Sequence, residues 1–233
     1  MHDAVVYVAL PYVALVTFVI GLVSRFRDRA FTVSSLSSQV LEDRMLAYGT
    51  LPWHFGIIVV LLGHALALAF PHIWQRLVAL PTMLIAVEGI GLGAGLLTLV
   101  GLAVLIARRL VFARLRRVTT PADYVVLALL ASQCVLGVSV AWSSRWGSVW
   151  ATGTAAPYLW SLVTLQPRLE LVRDLPWVFD LHVASAWLLV ALAPYSRLVH
   201  AFVVPVGILV RRPPRAVWGD GHRFPGPHGG PHA

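Results

Sequence analysis

Five stretches of this chain are long, apolar and almost free of charge: Ala4–Ser24, Pro52–Phe70, Met83–Ala107, Asp123–Ser143 and Trp177–Leu209. A bilayer's hydrocarbon core takes about 20 consecutive helical residues to cross. Lipid offers no partner for a free backbone N–H or C=O, so a crossing segment must satisfy its own backbone. Continuous apolar runs do this as helices. The sequence therefore predicts an all-α fold, an integral membrane bundle of five transmembrane helices. Composition agrees: 12% of residues are charged and the mean hydropathy is +0.79, where a soluble domain carries about a quarter charged residues. The last run is long enough to tilt or to leave the hydrocarbon. Pro194 within it predicts a kink that leaves the carbonyl four residues earlier without its usual partner.

Every one of the 18 basic residues is arginine. Arg25, Arg27, Arg29 and Arg44 follow the first span; Arg108, Arg109, Arg114, Arg116 and Arg117 follow the third; Arg211, Arg212, Arg215 and Arg223 follow the fifth. The opposite loops hold Arg76, Arg145, Arg168 and Arg173. Short basic loops stay in the cytoplasm, which predicts an outer N-terminus and a cytoplasmic C-terminus. The same pattern explains the +8 formal charge through topology, with no nucleic-acid partner. Cytoplasmic residues Ser35–Leu46 are expected to form a short interfacial helix capped by a serine. Trp53, Trp74, Trp142, Trp146, Trp150 and Trp177 fall near span ends, as an aromatic belt does. Residues 1–24 lack a basic leader and read as a first span.

Two regions follow: residues 1–212 as the five-helix transmembrane domain, and residues 213–233 as a disordered Pro-, Gly- and His-rich cytoplasmic tail. His222, His228 and His232 read as part of a solvated tail, because nothing beside them builds a shaped metal site. Cys134 is the only cysteine. An internal disulfide or a cysteine-ligated cluster needs more than one thiolate, so an iron–sulfur centre would have to sit on a partner.

Four histidines lie inside the spans: His54 and His64 on the second, His182 and His200 on the fifth. Ionisable groups at membrane depth are costly and mark function; imidazole is also a haem axial ligand. The second and fifth spans run antiparallel, so His54 faces His200 on the cytoplasmic side and His64 faces His182 on the outer side. On continuous helices the two spacings correspond to rises of about 15 Å and about 27 Å, and His182 and His200 share a face. The mismatch of about 12 Å needs tilt or a kink at Pro194, and the mean places two irons about 21 Å apart. Gly56 and Gly63, Ala184 and Ser185 are small neighbours that let a planar group approach. An intramembrane histidine can also simply bond a neighbouring helix. His72 has no paired partner and is left outside the ligand set. Arg108, Arg109 and Arg197 stand near the cytoplasmic boundary and are expected to reach haem propionates by charge-assisted bonds. Arg197 is favoured because it lies three residues before His200.

At these residues the chain resembles the gamma subunit of respiratory nitrate reductase, a diheme membrane cytochrome b. The matching stretches include Trp53-His54-Phe55-Gly56, Gly63-His64, Pro71-His72, Arg108-Arg109-Leu110, Thr119-Thr120-Pro121-Ala122-Asp123, Gln133-Cys134-Val135-Leu136-Gly137, Leu181-His182 and Ser196-Arg197-Leu198-Val199-His200. They span roughly residues 5–210. The resemblance implies two haem b groups, one held by His54 and His200 near the cytoplasm and one by His64 and His182 near the outer face. It implies oxidation of quinol from the membrane's quinone pool at a pocket near His64 and Gly63. Electrons would pass through both haems to a cytoplasmic iron–sulfur beta subunit and then to a molybdenum alpha subunit. It also implies a multi-pass protein of a bacterial or archaeal cell (inner) membrane. The family commonly has a lysine after the second span that contributes to the quinol pocket; this chain has none, and the stretch Arg76–Glu88 diverges.

Two other functions compete. The same electron carrier could serve a different molybdenum oxidoreductase. Alternatively, the histidines could form a proton relay in a haem-free transporter, although the sequence holds no inverted repeat of the kind such folds use. A scaffold subunit without haem is a further reading, and an optical spectrum separates these from a cytochrome.

Overall fold

A computed structural model describes residues 2–28, 44–143 and 147–201. Among them every regular element is helical, and five helices are long and apolar enough to cross a membrane. This is a multi-pass membrane protein. The tail 213–233, Arg29, Arg145, Trp146, the arginines from Arg211 onward and all but the end of Ser35–Leu46 lie outside the described residues.

The first span, α1 (Leu10–Asp28), continues from a turn at His2–Ala4 and a π-helical turn at Val5–Ala9. The second, α2 (Arg44–Ala69), starts before the apolar run and carries Pro52 inside it. A short helix, α3 (Pro71–Val78), leads into the third span, α4 (Pro81–Val111). Both open on proline, which has no N–H to leave unsatisfied at a first turn. A brief α5 (Ala113–Arg117) precedes the fourth span, α6 (Pro121–Ser143). Residues Gly147–Trp150 and a second π-turn, Ala151–Ala155, run into α7 (Ala156–Val163). The fifth span is α8 (Trp177–Leu192).

Among the described residues the close seams run in the order α1, α8, α6, α4, α2, and α2 forms no such seam with α8. The tightest seam joins α2 to α4. A Cβ on Gly56 would lie 2.7 Å from the Ala94 carbonyl, and one on Gly101 2.9 Å from the Gly49 carbonyl. In lipid, where apolar burial gives helices no net drive to associate, such small-residue contacts hold them together. The best-buried cluster, Tyr7, Tyr158, Leu162 and Val172, lies where α1, α7 and α8 meet at the His182 end. Tyr7 is fully buried; its hydroxyl donates to Asp180 and its carbonyl accepts from the Tyr158 hydroxyl at 2.6 Å.

The last span differs from the sequence expectation. The α-helix does not continue to Leu209: it ends at Leu192, and a 3₁₀ turn covers Ala193–Tyr195. Ser196 is extended, with φ −123° and ψ −179°, and a second 3₁₀ turn covers Arg197–Val199. Pro194 cannot continue the α-helical ladder, and the Ser196 hydroxyl accepts from the Leu198 N–H at 3.2 Å to start the next turn. The Val190 carbonyl is not left unpartnered, because the Ala193 N–H reaches it. His182 and His200 therefore do not share one helix or one helical face, and the 27 Å rise does not apply.

Candidate functional site

α2 presents His54 and His64 with one ring orientation. Each Nδ1 lies against the carbonyl one turn earlier: His54 on Thr50 at 2.9 Å and His64 on Val60 at 2.8 Å. His200 does the same with the Arg197 carbonyl at 2.5 Å. The carbonyl can only accept, so Nδ1 carries a proton, and in the neutral ring Nε2 keeps its lone pair. That is the state of an imidazole ready to bind a metal, with its backbone partner fixing tautomer and angle.

The His54 and His200 rings face each other, their centroids 6.4 Å apart and their planes at 61°. Imidazole nitrogens bind transition metals at about 2 Å. A metal held between two imidazoles thus separates the ring centroids by about 6 Å, since each nitrogen lies about 1 Å from its centroid. The observed pair fits that spacing, whereas a direct bond between the rings would bring them closer.

His182 is set differently. Its Nε2 lies 3.4 Å from the amide nitrogen of Gln133 on α6, and its Nδ1 is buried with no hydrogen-bond partner. The Gln133 carbonyl oxygen accepts from the Ser185 hydroxyl at 2.5 Å, which turns the amide N–H toward the ring. Gly137, one helical turn further along α6, makes room: a Cβ there would stand 3.0 Å from the His182 Cε1. A buried ring nitrogen left unbonded costs about 1–3 kcal/mol. The space beside Gly63 is open, with no atom within 4 Å of where a Cβ would stand.

At the other end of the bundle Asp123 gathers charge. It forms a reciprocal cap at the start of α6: its Oδ2 accepts from the Thr120 N–H at 3.0 Å, and its own N–H donates to the Thr120 hydroxyl at 3.2 Å. Its Oδ1 accepts from the Arg197 Nε at 3.2 Å, and an Arg109 nitrogen stands 3.9 Å from Oδ2. Of the three arginines singled out in the sequence, Arg109 and Arg197 thus meet on one carboxylate. Arg108 is buried on α4, 3% exposed. Sequence reading passed over Asp123 as a functional residue, although Thr120-x-x-Asp123 before an apolar run is the signature of such a cap.

His72 does not join the other histidines. With Ala69, Phe70, Pro71, Ile73 and Trp160 it lines a pocket of about 420 Å³ where α2 meets α3. The Trp160 Nε1 there donates to the Leu68 carbonyl at 3.0 Å. Beside it the Glu88 carboxylate accepts from both the N–H and the hydroxyl of Ser148, and Trp74 donates to the Ser148 carbonyl at 3.2 Å. Glu88 therefore ties α4 to the segment after α6.

The sequence model of the nitrate reductase gamma subunit family matches residues 3–218. Over 216 residues the chain is 33% identical to the nitrate reductase-like protein NarX of Mycobacterium tuberculosis, covering 91% of this chain but 33% of that protein, so the chain spans about a third of that relative's length. It is 29% identical over 224 residues to the nitrate reductase gamma chain of Bacillus subtilis, covering 91% and 96% of the two chains. It is 31% identical over 206 residues to the respiratory nitrate reductase 1 gamma chain of Escherichia coli, covering 87% and 91%.

Proposed function

The chain belongs to the nitrate reductase gamma subunit family, and we propose that it oxidises quinol near the outer face and delivers the electrons to a cytoplasmic iron–sulfur subunit of a nitrate-reductase-type molybdoenzyme. The observation that carries this reading is the His54–His200 pair at 6.4 Å, matched to a bis-imidazole metal site and built on two spans that form no close seam with each other. His54 and His200 hold one haem b; His64 and His182 hold the other. Haem, when bound, supplies one-electron redox chemistry that no side chain of this protein offers.

The chain's own residues prepare that site. The Thr50, Val60 and Arg197 carbonyls fix the tautomers of three ligands. Gly137 makes room for the fourth, whose Nε2 would exchange its Gln133 contact for the metal. Arg108, Arg109 and Arg197 supply positive charge for the propionates, and Asp123 holds the latter two in place. Quinol docks near Gly63 and His64, where α2 presents open space. Its protons leave at that face while its electrons cross to the other. That separation conserves energy across the membrane.

The arginine distribution sets the N-terminus outside and the C-terminus in the cytoplasm, in the cell membrane of a bacterium or archaeon. Residues 1–212 form the cytochrome domain and residues 213–233 its cytoplasmic tail. The partners are the iron–sulfur and molybdenum subunits on the basic face.

The test is purification in detergent with the partner subunits, followed by a reduced-minus-oxidised spectrum and quinol-dependent reduction of nitrate. Two haems per chain and quinol-linked turnover are expected. A colourless protein overturns the reading.

A further inference from the structure

We propose that the break in the last span is a positioning device, clamped from α1 by Arg25 and Gly21 and from α6 by Asp123, which sets His200 against His54 independently of the helix carrying His182. This rests on the haem reading above.

The geometric need is plain. His54 and His64 are ten residues apart on α2, a rise of about 15 Å; an unbroken helix from His182 to His200 would rise about 27 Å. Two ligand pairs cannot both close on straight helices of such unequal spacing without tilt or a break. Ending the helix at Leu192 and inserting an extended residue at Ser196 removes the constraint. A broken segment is also free to adopt other shapes, so something must hold it.

Three contacts from α1 do so. An Arg25 guanidinium nitrogen donates to the Pro194 carbonyl at 2.8 Å, across 169 residues of sequence. The Arg25 Nε is buried without a partner, so this side chain gives up water to reach that carbonyl. One helical turn earlier, Gly21 is filled by the break itself: a Cβ there would stand 2.6 Å from the Tyr195 ring and 2.9 Å from the Pro194 Cβ. The Tyr195 hydroxyl bonds the Thr17 carbonyl at 3.4 Å. From the other side, Asp123 holds Arg197, whose carbonyl orients the His200 ring. Residues 193–200 are thus gripped on two flanks, and every grip lies at the His200 end.

The experiment compares Arg25→Gln, Gly21→Val and Arg25→Lys with the parent protein in the purified complex. Haem content and the two midpoint potentials are read, and each haem is assigned with His54→Ala and His182→Ala. The expected result is an about tenfold loss of affinity for the His54–His200 haem in Arg25→Gln and Gly21→Val, the scale of a lost supporting contact, with a shifted potential for that haem alone. Arg25→Lys, which keeps both charge and donor, restores the parent values. Equal effects on both haems, or no effect on either, overturn the proposal. Hydrogen exchange at residues 196–201 without haem separates the two claims. Faster exchange in Arg25→Gln supports the clamp even in a protein that carries no haem, a result that would defeat only the functional reading. Unchanged exchange defeats the clamp.

Discussion

His54 and His200 are 146 residues apart in sequence, yet their rings stand 6.4 Å from each other at 61°. Neither ring nitrogen used for backbone bonding faces the partner, since both Nδ1 atoms are turned back on their own turns. Replacing either residue with alanine should therefore remove one haem and spare the other. Haem content should fall by about half, because one lost axial ligand opens one site only. A pyridine haemochrome assay with protein quantification reads this directly.

Gly137 faces His182 across the α6–α8 contact, with room for a Cβ only at 3.0 Å from the ring. Gly137→Leu should push the imidazole out of its seat and abolish the His182-linked haem signal while the His54–His200 signal stays. Gly137→Ala should be far milder, because the ring needs to give by only a few tenths of an ångström. The two variants are compared by low-temperature optical spectra.

Tyr7 ties the first span to the last by donating to Asp180 from a fully buried position. Tyr7→Phe keeps the ring and its edge-to-face contact with Tyr158 at 5.5 Å but removes the donor. The half-buried carboxylate then loses a charge-assisted bond, so a stability loss of about 1.5–3 kcal/mol is expected. The measurement is the thermal unfolding midpoint in detergent, with haem content as the control.

The α2–α4 seam should tolerate no side chain at Gly56 or Gly101. Both would meet backbone, which cannot swing aside as a side-chain tip can. Gly56→Val or Gly101→Val should cost about 3 kcal/mol, the upper part of the usual range for overpacking. Gly63→Ala, with nothing within 4 Å, should leave stability unchanged. Thermal melts of the three variants side by side give the comparison.

The spans were legible in the sequence because lipid imposes a simple demand: about 20 apolar residues with their backbone paired. The four histidines stood out because an imidazole at that depth needs a reason. The break after Leu192 was only half legible. Pro194 announced a disturbance, but proline also sits in helices that merely bend. What turns the bend into a break is Arg25 taking the Pro194 carbonyl and Gly21 admitting Tyr195, contacts made across nearly the whole chain. Asp123 was hidden for a similar reason. Its capping role is local, but its hold on Arg197 appears only once α6 and the last segment are folded together. The π-turns at Val5–Ala9 and Ala151–Ala155 left no mark that apolar periodicity registers.

The break in the α-helix at residues 193–199 has an evolutionary consequence. On a continuous helix, gaining or losing one residue would swing the distal donor by about 100° and ruin both coordination spheres at once. Here the slack is taken up locally, so, on the two-haem proposal, the surroundings of the His54–His200 pair can drift by mutation while those of His182 stay put. A respiratory chain that must match its redox steps to different donors and acceptors gains two dials in place of one.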